Sequence, residues 1–308
     1  MNLLVTGGSG YVGASILKRA PQDWQLAATY LAHPIEQANV AAFCVDVRDA
    51  NAVNRLFDTF RPDVAIHTAA VMNGDQMMSV NADGSRNVAR AATQFNTRLI
   101  HISSDVIFDG AHAPYDESAS PAPLTPYAES KARAEEFVRA EYSNPIIVRT
   151  SLVYGFAPMD PRTRQTLDGK FSPLFTDEFR CPIFVDDLAD ALIELALSLR
   201  AGRSNLHSPR EIACFDYRSA PQPLRAPRND KSNSDAFSVL NIAGPQRLSR
   251  YEFGVKLAKA FHVEPRFQSA LCASFPTPRP HDCTLDISRA QKILKTILRS
   301  VDEVLKQN

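Results

Sequence analysis

The chain has 308 residues, with 34 Lys+Arg against 34 Asp+Glu and 44% hydrophobic residues. That is the composition of an ordinary globular protein, long enough for about two domains or one large α/β domain with an added lobe. Zero net charge argues against a general nucleic-acid binder or membrane-surface binder. No apolar run approaches the roughly 20 residues of a membrane helix. The start, Met1–Thr6, shows no basic segment, long apolar core or cleavage site, so a cytoplasmic location is expected.

Short apolar runs alternate with longer amphipathic ones through the first half. Strands are predicted at 2–6, 25–30, 41–45, 64–67, 98–103 and 146–149, and helices at 12–19, 50–60, 76–95 and 126–142. Strand–helix alternation means parallel strands with crossover helices. The strands read as nearly continuous apolar runs, as expected when helices cover both faces. The expected fold is therefore a doubly wound α/β sheet. Beyond 149 come a predicted helix at 186–199, a long loop at 200–237, a strand at 239–243, a helix at 250–261 and a helical tail at 286–306. We expect a dinucleotide-binding core over 1–155. The remainder, 156–308, should add further core elements and a small substrate lobe, with 200–237 inserted as a surface loop.

The turn Thr6-Gly7-Gly8-Ser9-Gly10-Tyr11-Val12-Gly13 follows the first strand and opens the first helix. It reads as Gly8-x-Gly10-x-x-Gly13 or as Gly7-x-x-Gly10-x-x-Gly13. Either register gives a tight turn and places a pyrophosphate on a helix N-terminus. NAD sites usually end the second strand with an acid that binds the ribose 2′-hydroxyl. Here the strand ends Ala28-Thr29-Tyr30-Leu31-Ala32-His33, without a carboxylate. Tyr30, with His33 beyond it, offers donors to a 2′-phosphate, so NADP(H) is favoured over NAD(H). Asp46, after the third strand, suits either an adenine edge or a loop cap.

Tyr127 and Lys131 stand four apart at the start of a predicted helix, and so share a face. An ammonium beside a phenol favours its ionised form and suits it to proton transfer. Ser103-Ser104-Asp105 ends the preceding strand, where the ligand crevice of an open parallel sheet lies. Ser104 is placed to bond a substrate carbonyl beside Tyr127.

Five cysteines (Cys44, Cys181, Cys214, Cys272 and Cys283) lie far apart without a Cys-x-x-Cys pair, and seven histidines are scattered. Neither a disulfide framework nor a metal site is expected.

The Thr-Gly-x-x-Gly-x-x-Gly turn, Ser-Ser-Asp after a central strand and Tyr-x-x-x-Lys two dozen residues later resemble the extended short-chain dehydrogenase/reductases. The finer resemblance is to the dTDP-4-dehydrorhamnose reductase group and the related methionine adenosyltransferase regulatory β subunits. It rests on Arg61-Pro62-Asp63-Val64 with Thr68-Ala69-Ala70, on Val80-Asn81-Ala82, and on Ile102 through Gly110. It continues through Pro123 to Tyr127, Arg149 to Gly155, Pro182 to Ala189, and Arg279-Pro280.

The resemblance implies that Gly7, Gly10, Tyr11 and Val12 hold the pyrophosphate and that Asp46 and Val47 flank the adenine. Ala69 and Ala70 would line the cofactor ribose, with Asn81 nearby. Ser104, in place of the group's usual Thr, would polarise a keto oxygen. Tyr127 would protonate that oxygen, and Lys131 would orient Tyr127 and the ribose. Asp105 is implied at the sugar. Arg279 is either a pyrophosphate contact or a structural salt bridge. Leu152 stands where the reductases commonly carry a Trp against the sugar.

The implied activity is NADPH-dependent reduction of a 4-keto sugar, nucleotide-linked as the group's substrates are, in the dTDP-rhamnose branch of nucleotide-sugar metabolism. A non-catalytic NADP-binding subunit of a synthetase such as methionine adenosyltransferase is the alternative. A sugar-nucleotide epimerase or dehydratase ranks third, because Val106 follows Asp105 where dehydratases carry Glu. The implied partner is a small keto-sugar nucleotide, and the group's frequent dimers leave a homodimer open.

Overall fold

The computed structural model describes residues 1–204 and 239–307. Seven parallel strands form one sheet: β1 (Asn2–Thr6), β2 (Gln25–Tyr30), β3 (Val40–Cys44), β4 (Val64–His67), β5 (Arg98–Ser104), β6 (Ile146–Thr150) and β7 (Val239–Ile242). Their spatial order is β7-β6-β5-β4-β1-β2-β3. The chain reverses its direction of travel across the sheet between β1 and β4, and that reversal opens the ligand crevice at the strands' C-terminal ends.

Alternate residues of each strand serve opposite faces. Leu3, Val5, Ile66 and Ile100 join one core with Ile16, Leu188 and Leu192. Leu4, Ala65 and Leu99 join the other with Val53, Phe57, Val88 and Ala92. Helices α1 (Tyr11–Arg19) and α6 (Val185–Ser204) therefore cover one face, and α2 (Ala50–Phe60) and α3 (Gly84–Gln94) the other. The Asp49 carboxylate starts α2 by accepting the N–H groups of Asn51 (2.9 Å) and Ala52 (3.0 Å). Thr125 caps α4 (Pro126–Glu141), with Pro126 at its first position, where a missing N–H costs nothing.

The structure corrects several boundaries. The helix predicted at 76–95 is one turn of π-helix, Met78–Asp83, running into α3. Helix α6 continues to Ser204, into the start of the segment read as a loop; the rest of that segment, 205–237, lies outside the described residues. The tail read as one helix is two, α8 (Ser288–Ile293) and α9 (Val301–Leu305). Side chains of α6 explain the break. Glu194 accepts the Lys295 and Thr296 N–H groups, and Asp187 accepts that of Arg299, so these N–H groups have partners outside the helix ladder.

The lobe is built from α5 (Pro161–Leu167), α7 (Arg250–Ala260) and paired two-residue strands. A capping box of Ser249 and Glu252 starts α7. No helix among the described residues is long and apolar enough to cross a membrane.

Candidate active site

The glycine turn is packed so that side chains are excluded from it. Gly7 adopts φ +72°, and a Cβ there would lie 2.7 Å from the Ala69 backbone. A Cβ on Gly13 would lie 2.4 Å from the Gly7 carbonyl oxygen. The turn is thus pressed against the loop after β4, and the two loops meet at the crevice. Gly10 caps α1 without any side-chain bond, and no acid occupies the first turn. The N–H groups of the first turn remain open to a phosphate. Tyr11 donates its hydroxyl to the Pro158 carbonyl (3.0 Å), tying the turn to the start of the lobe. These features fit a dinucleotide pyrophosphate at Gly7, Gly10, Tyr11 and Val12.

The other cofactor residues divide. Ala69 is half-buried and Ala70 exposed at the crevice edge. Asn81 is fully buried; its amide donates to the Val71 carbonyl (2.8 Å) and Ser130 Oγ (2.9 Å) and accepts the Val71 N–H (2.8 Å). It fixes the 69–71 loop against α4, so it shapes the crevice and does not reach into it. Val47 is buried beneath Gly84 of α3. Asp46 accepts the Arg48 N–H (3.0 Å) and pairs with the Arg48 guanidinium, which holds its carboxyl below the usual range. Tyr30 is half-buried at the end of β2, with Leu31 and His33 exposed beyond it.

Ser104 ends β5 and Tyr127 stands in the first turn of α4. Burial raises the Tyr127 phenol above its ordinary value; the Arg162 cation opposes this, Asp105 adds to it, and Arg180 and the Ser104 hydroxyl oppose it further. The phenol is therefore protonated at neutral pH. Lys131 Nζ donates to the Ile102 carbonyl of β5 (2.7 Å), and the foremost cation acting on Tyr127 is Arg162. Burial lowers Lys131 to about 8, with Glu135 opposing.

Helix α4 is locked in place by a buried ion pair. Glu135 accepts both Arg149 Nε (3.0 Å) and Nη2 (2.9 Å), while Arg149 Nη1 donates to the Ala119 carbonyl (3.0 Å). This bidentate clamp joins α4 to β6 and sets the height of Tyr127 over the strand ends.

At Asp105 the structure corrects the expectation of a contact with the sugar. The residue is fully buried, not directed at the crevice. Its carboxylate accepts Arg180 Nε (2.8 Å) and Ser151 Oγ (2.5 Å), and pairs with Arg180 Nη2. It anchors the lobe to the strand ends. Arg279 donates to the buried Glu178 (2.7 Å), which supports the salt-bridge alternative.

Sequence reasoning missed Arg162, Arg180 and Arg250. Arg162 Nη2 contacts Met72 Sδ at 3.6 Å. Arg250 is only 8% exposed, its guanidinium 5.5 Å from the Phe171 ring. Both line one cavity with Leu152, Tyr154 and Asp160. Neither makes an ion pair with a carboxylate among the described residues. The crowding of Arg residues in 162–180 hints at Arg162 and Arg180, and no signal in the sequence marks Arg250.

Residues 1–214 match the RmlD substrate binding domain family. The chain belongs to that family. It is 33% identical to methionine adenosyltransferase 2 subunit beta of Pongo abelii, over 94% of this chain and 82% of the relative. It is 24% identical to a dTDP-4-dehydrorhamnose reductase of Aggregatibacter actinomycetemcomitans, over 94% and 92% of the two chains. The fold superposes on a dTDP-4-dehydrorhamnose reductase from Bacillus anthracis, solved with NADP. That match has TM-score 0.75 and 21% identity, and covers 99% and 97% of the two chains. The RmlD-family fold thus extends over nearly all of this chain, including the lobe beyond the matched domain.

Proposed function

We propose that this RmlD-family chain is an NADPH-dependent reductase of a 4-keto sugar carried on a nucleotide diphosphate. The observation that carries the reading is a protonated, half-buried phenol, Tyr127, beside the Ser104 hydroxyl at the mouth of a glycine turn whose helix has no side-chain cap. Residues 1–155 would supply the dinucleotide-binding part, and 156–308 the substrate lobe and further core elements.

A bound nicotinamide dinucleotide supplies hydride. Tyr127 gives its phenolic proton to the substrate oxygen as negative charge develops there. Ser104, which donates weakly to Asp105 in this structure (3.3 Å), turns its hydroxyl to that same oxygen. Arg162 stabilises the tyrosinate left behind. Lys131, four residues from Tyr127, orients the ribose. Arg162, half-buried, and Arg250, buried, line one cavity without carboxylate partners among the described residues; they favour an anionic substrate, and a diphosphate supplies that charge. The lack of an acid at the end of β2 favours NADP over NAD, as does the NADP bound to the Bacillus anthracis relative.

A second reading is a regulatory subunit that binds NADP without turnover. The 33% identity to a methionine adenosyltransferase β subunit favours it. One experiment separates the two. Purified chain is mixed with NADPH and dTDP-4-dehydrorhamnose, and absorbance of the reduced nicotinamide is followed. Loss of absorbance supports the reductase. No loss, together with co-purification of a methionine adenosyltransferase, supports the subunit.

A further inference from the structure

Asp177, Cys272 and His281 lie on three separate segments of the lobe. One ligand atom from each falls within 4.8 Å of the other two. No other such trio of Cys, His, Asp and Glu side chains converges among the described residues. We infer that Asp177, Cys272 and His281 form a zinc site on the lobe, completed by solvent.

The scaffold is held without any ion. The Thr176 N–H donates to the Ala270 carbonyl (3.0 Å), the Phe179 N–H to that of His281 (2.7 Å), and the Cys283 N–H to that of Phe179 (3.1 Å). The three ligand-bearing segments are therefore fixed against one another by main-chain bonds. Asp177 is also oriented: its Oδ1 accepts the Cys272 N–H at 2.8 Å. Its Oδ2 faces His281 Nδ1 at 3.5 Å. An outer hydrogen bond that aims a ligating carboxylate is a recurring feature of metal centres. Zinc bonds of about 2.0–2.3 Å at tetrahedral angles separate ligand atoms by roughly 3.4 Å, so the Asp–His distance needs no change. Cys272 is buried and His281 exposed, so the fourth position opens to water.

The donor set selects the metal. Thiolate, imidazole and carboxylate together suit zinc, whereas magnesium and calcium take oxygen ligands. Binding replaces the Cys272 thiol proton with the metal–sulfur bond, and the proton leaves to solvent; no electrons move. Asp177 and His281 flank the Glu178–Arg279 pair in sequence, so an occupied site would stiffen the segment carrying Arg279.

Cobalt(II) tests this without any reliance on turnover. Metal-free, tag-free protein is titrated with cobalt chloride while the near-ultraviolet thiolate-to-cobalt band is recorded. We expect one cobalt per chain, and a band that zinc removes. The band should be lost in Cys272→Ser, kept in Cys44→Ser, and should need on the order of tenfold more cobalt in His281→Ala. Absence of the band in the wild-type protein, its survival in Cys272→Ser, or unchanged affinity in His281→Ala would overturn the assignment.

Discussion

The two walls of the crevice are built by different means. The wall at the glycine turn is mostly backbone: Gly7 and Gly13 let loops approach, and the open N–H groups of α1 supply the positive end. The wall at the lobe is side-chain charge. Arg180 and Asp105 are buried together, Glu178 pairs with Arg279, and Arg162 and Arg250 stand without carboxylate partners among the described residues. A backbone site is compact in sequence and demands particular residue types at fixed spacing. A charge network draws on residues 105, 151, 178, 180 and 279, and nothing in the sequence announces who pairs with whom.

Substitutions that strike each wall should therefore fail differently. The largest effect is expected at Gly13. A valine there must displace the Gly7 carbonyl, so Gly13→Val should abolish NADPH binding in a fluorescence titration. Retained affinity would mean the turn is not the pyrophosphate seat.

On the other wall, Arg180→Met should lower stability by about 3–5 kcal/mol in urea unfolding, because the buried Asp105 carboxylate loses its cation. A change within error would show that the network does not brace the lobe.

Lys131 should give a smaller effect of opposite sign. Its folded value of about 8 lies below the ordinary 10.5, so at neutral pH the buried ammonium costs stability. Lys131→Met should stabilise by up to about 3 kcal/mol below pH 8. The gain should shrink as pH rises from 8 toward 10.5, where the unfolded lysine still binds its proton and the folded one does not. Thermal unfolding across pH checks this, and a pH-independent difference would contradict it.

The smallest effect is expected at Arg279→Ala, about 1 kcal/mol, since Arg279 is partly exposed and Glu178 keeps Arg180 3.8 Å away.

The same contrast sets what the sequence reveals. Continuous apolar strands and the glycine spacing expose the sheet and the nucleotide turn, because each depends on local period and chain contact. Ser104, Tyr127 and Lys131 stand out by position along one strand and one helix. Helix spacing places Lys131 and Tyr127 on one face but does not say that Ile102 takes the ammonium. Nor does the sequence show that the Asp105 carboxylate is taken by Arg180, 75 residues away. Asn81 supports the 69–71 loop through contacts with Val71 and Ser130 that only the folded chain brings together.

The central claim is that Tyr127 is the proton donor of a reductase. The most direct measurement is the rate of NADPH oxidation by wild type and Tyr127→Phe with dTDP-4-dehydrorhamnose, alongside NADPH affinity for both. The account predicts turnover by wild type, a loss of about 10²–10⁴-fold in the variant, and equal affinity. A variant that turns over at the wild-type rate would contradict it.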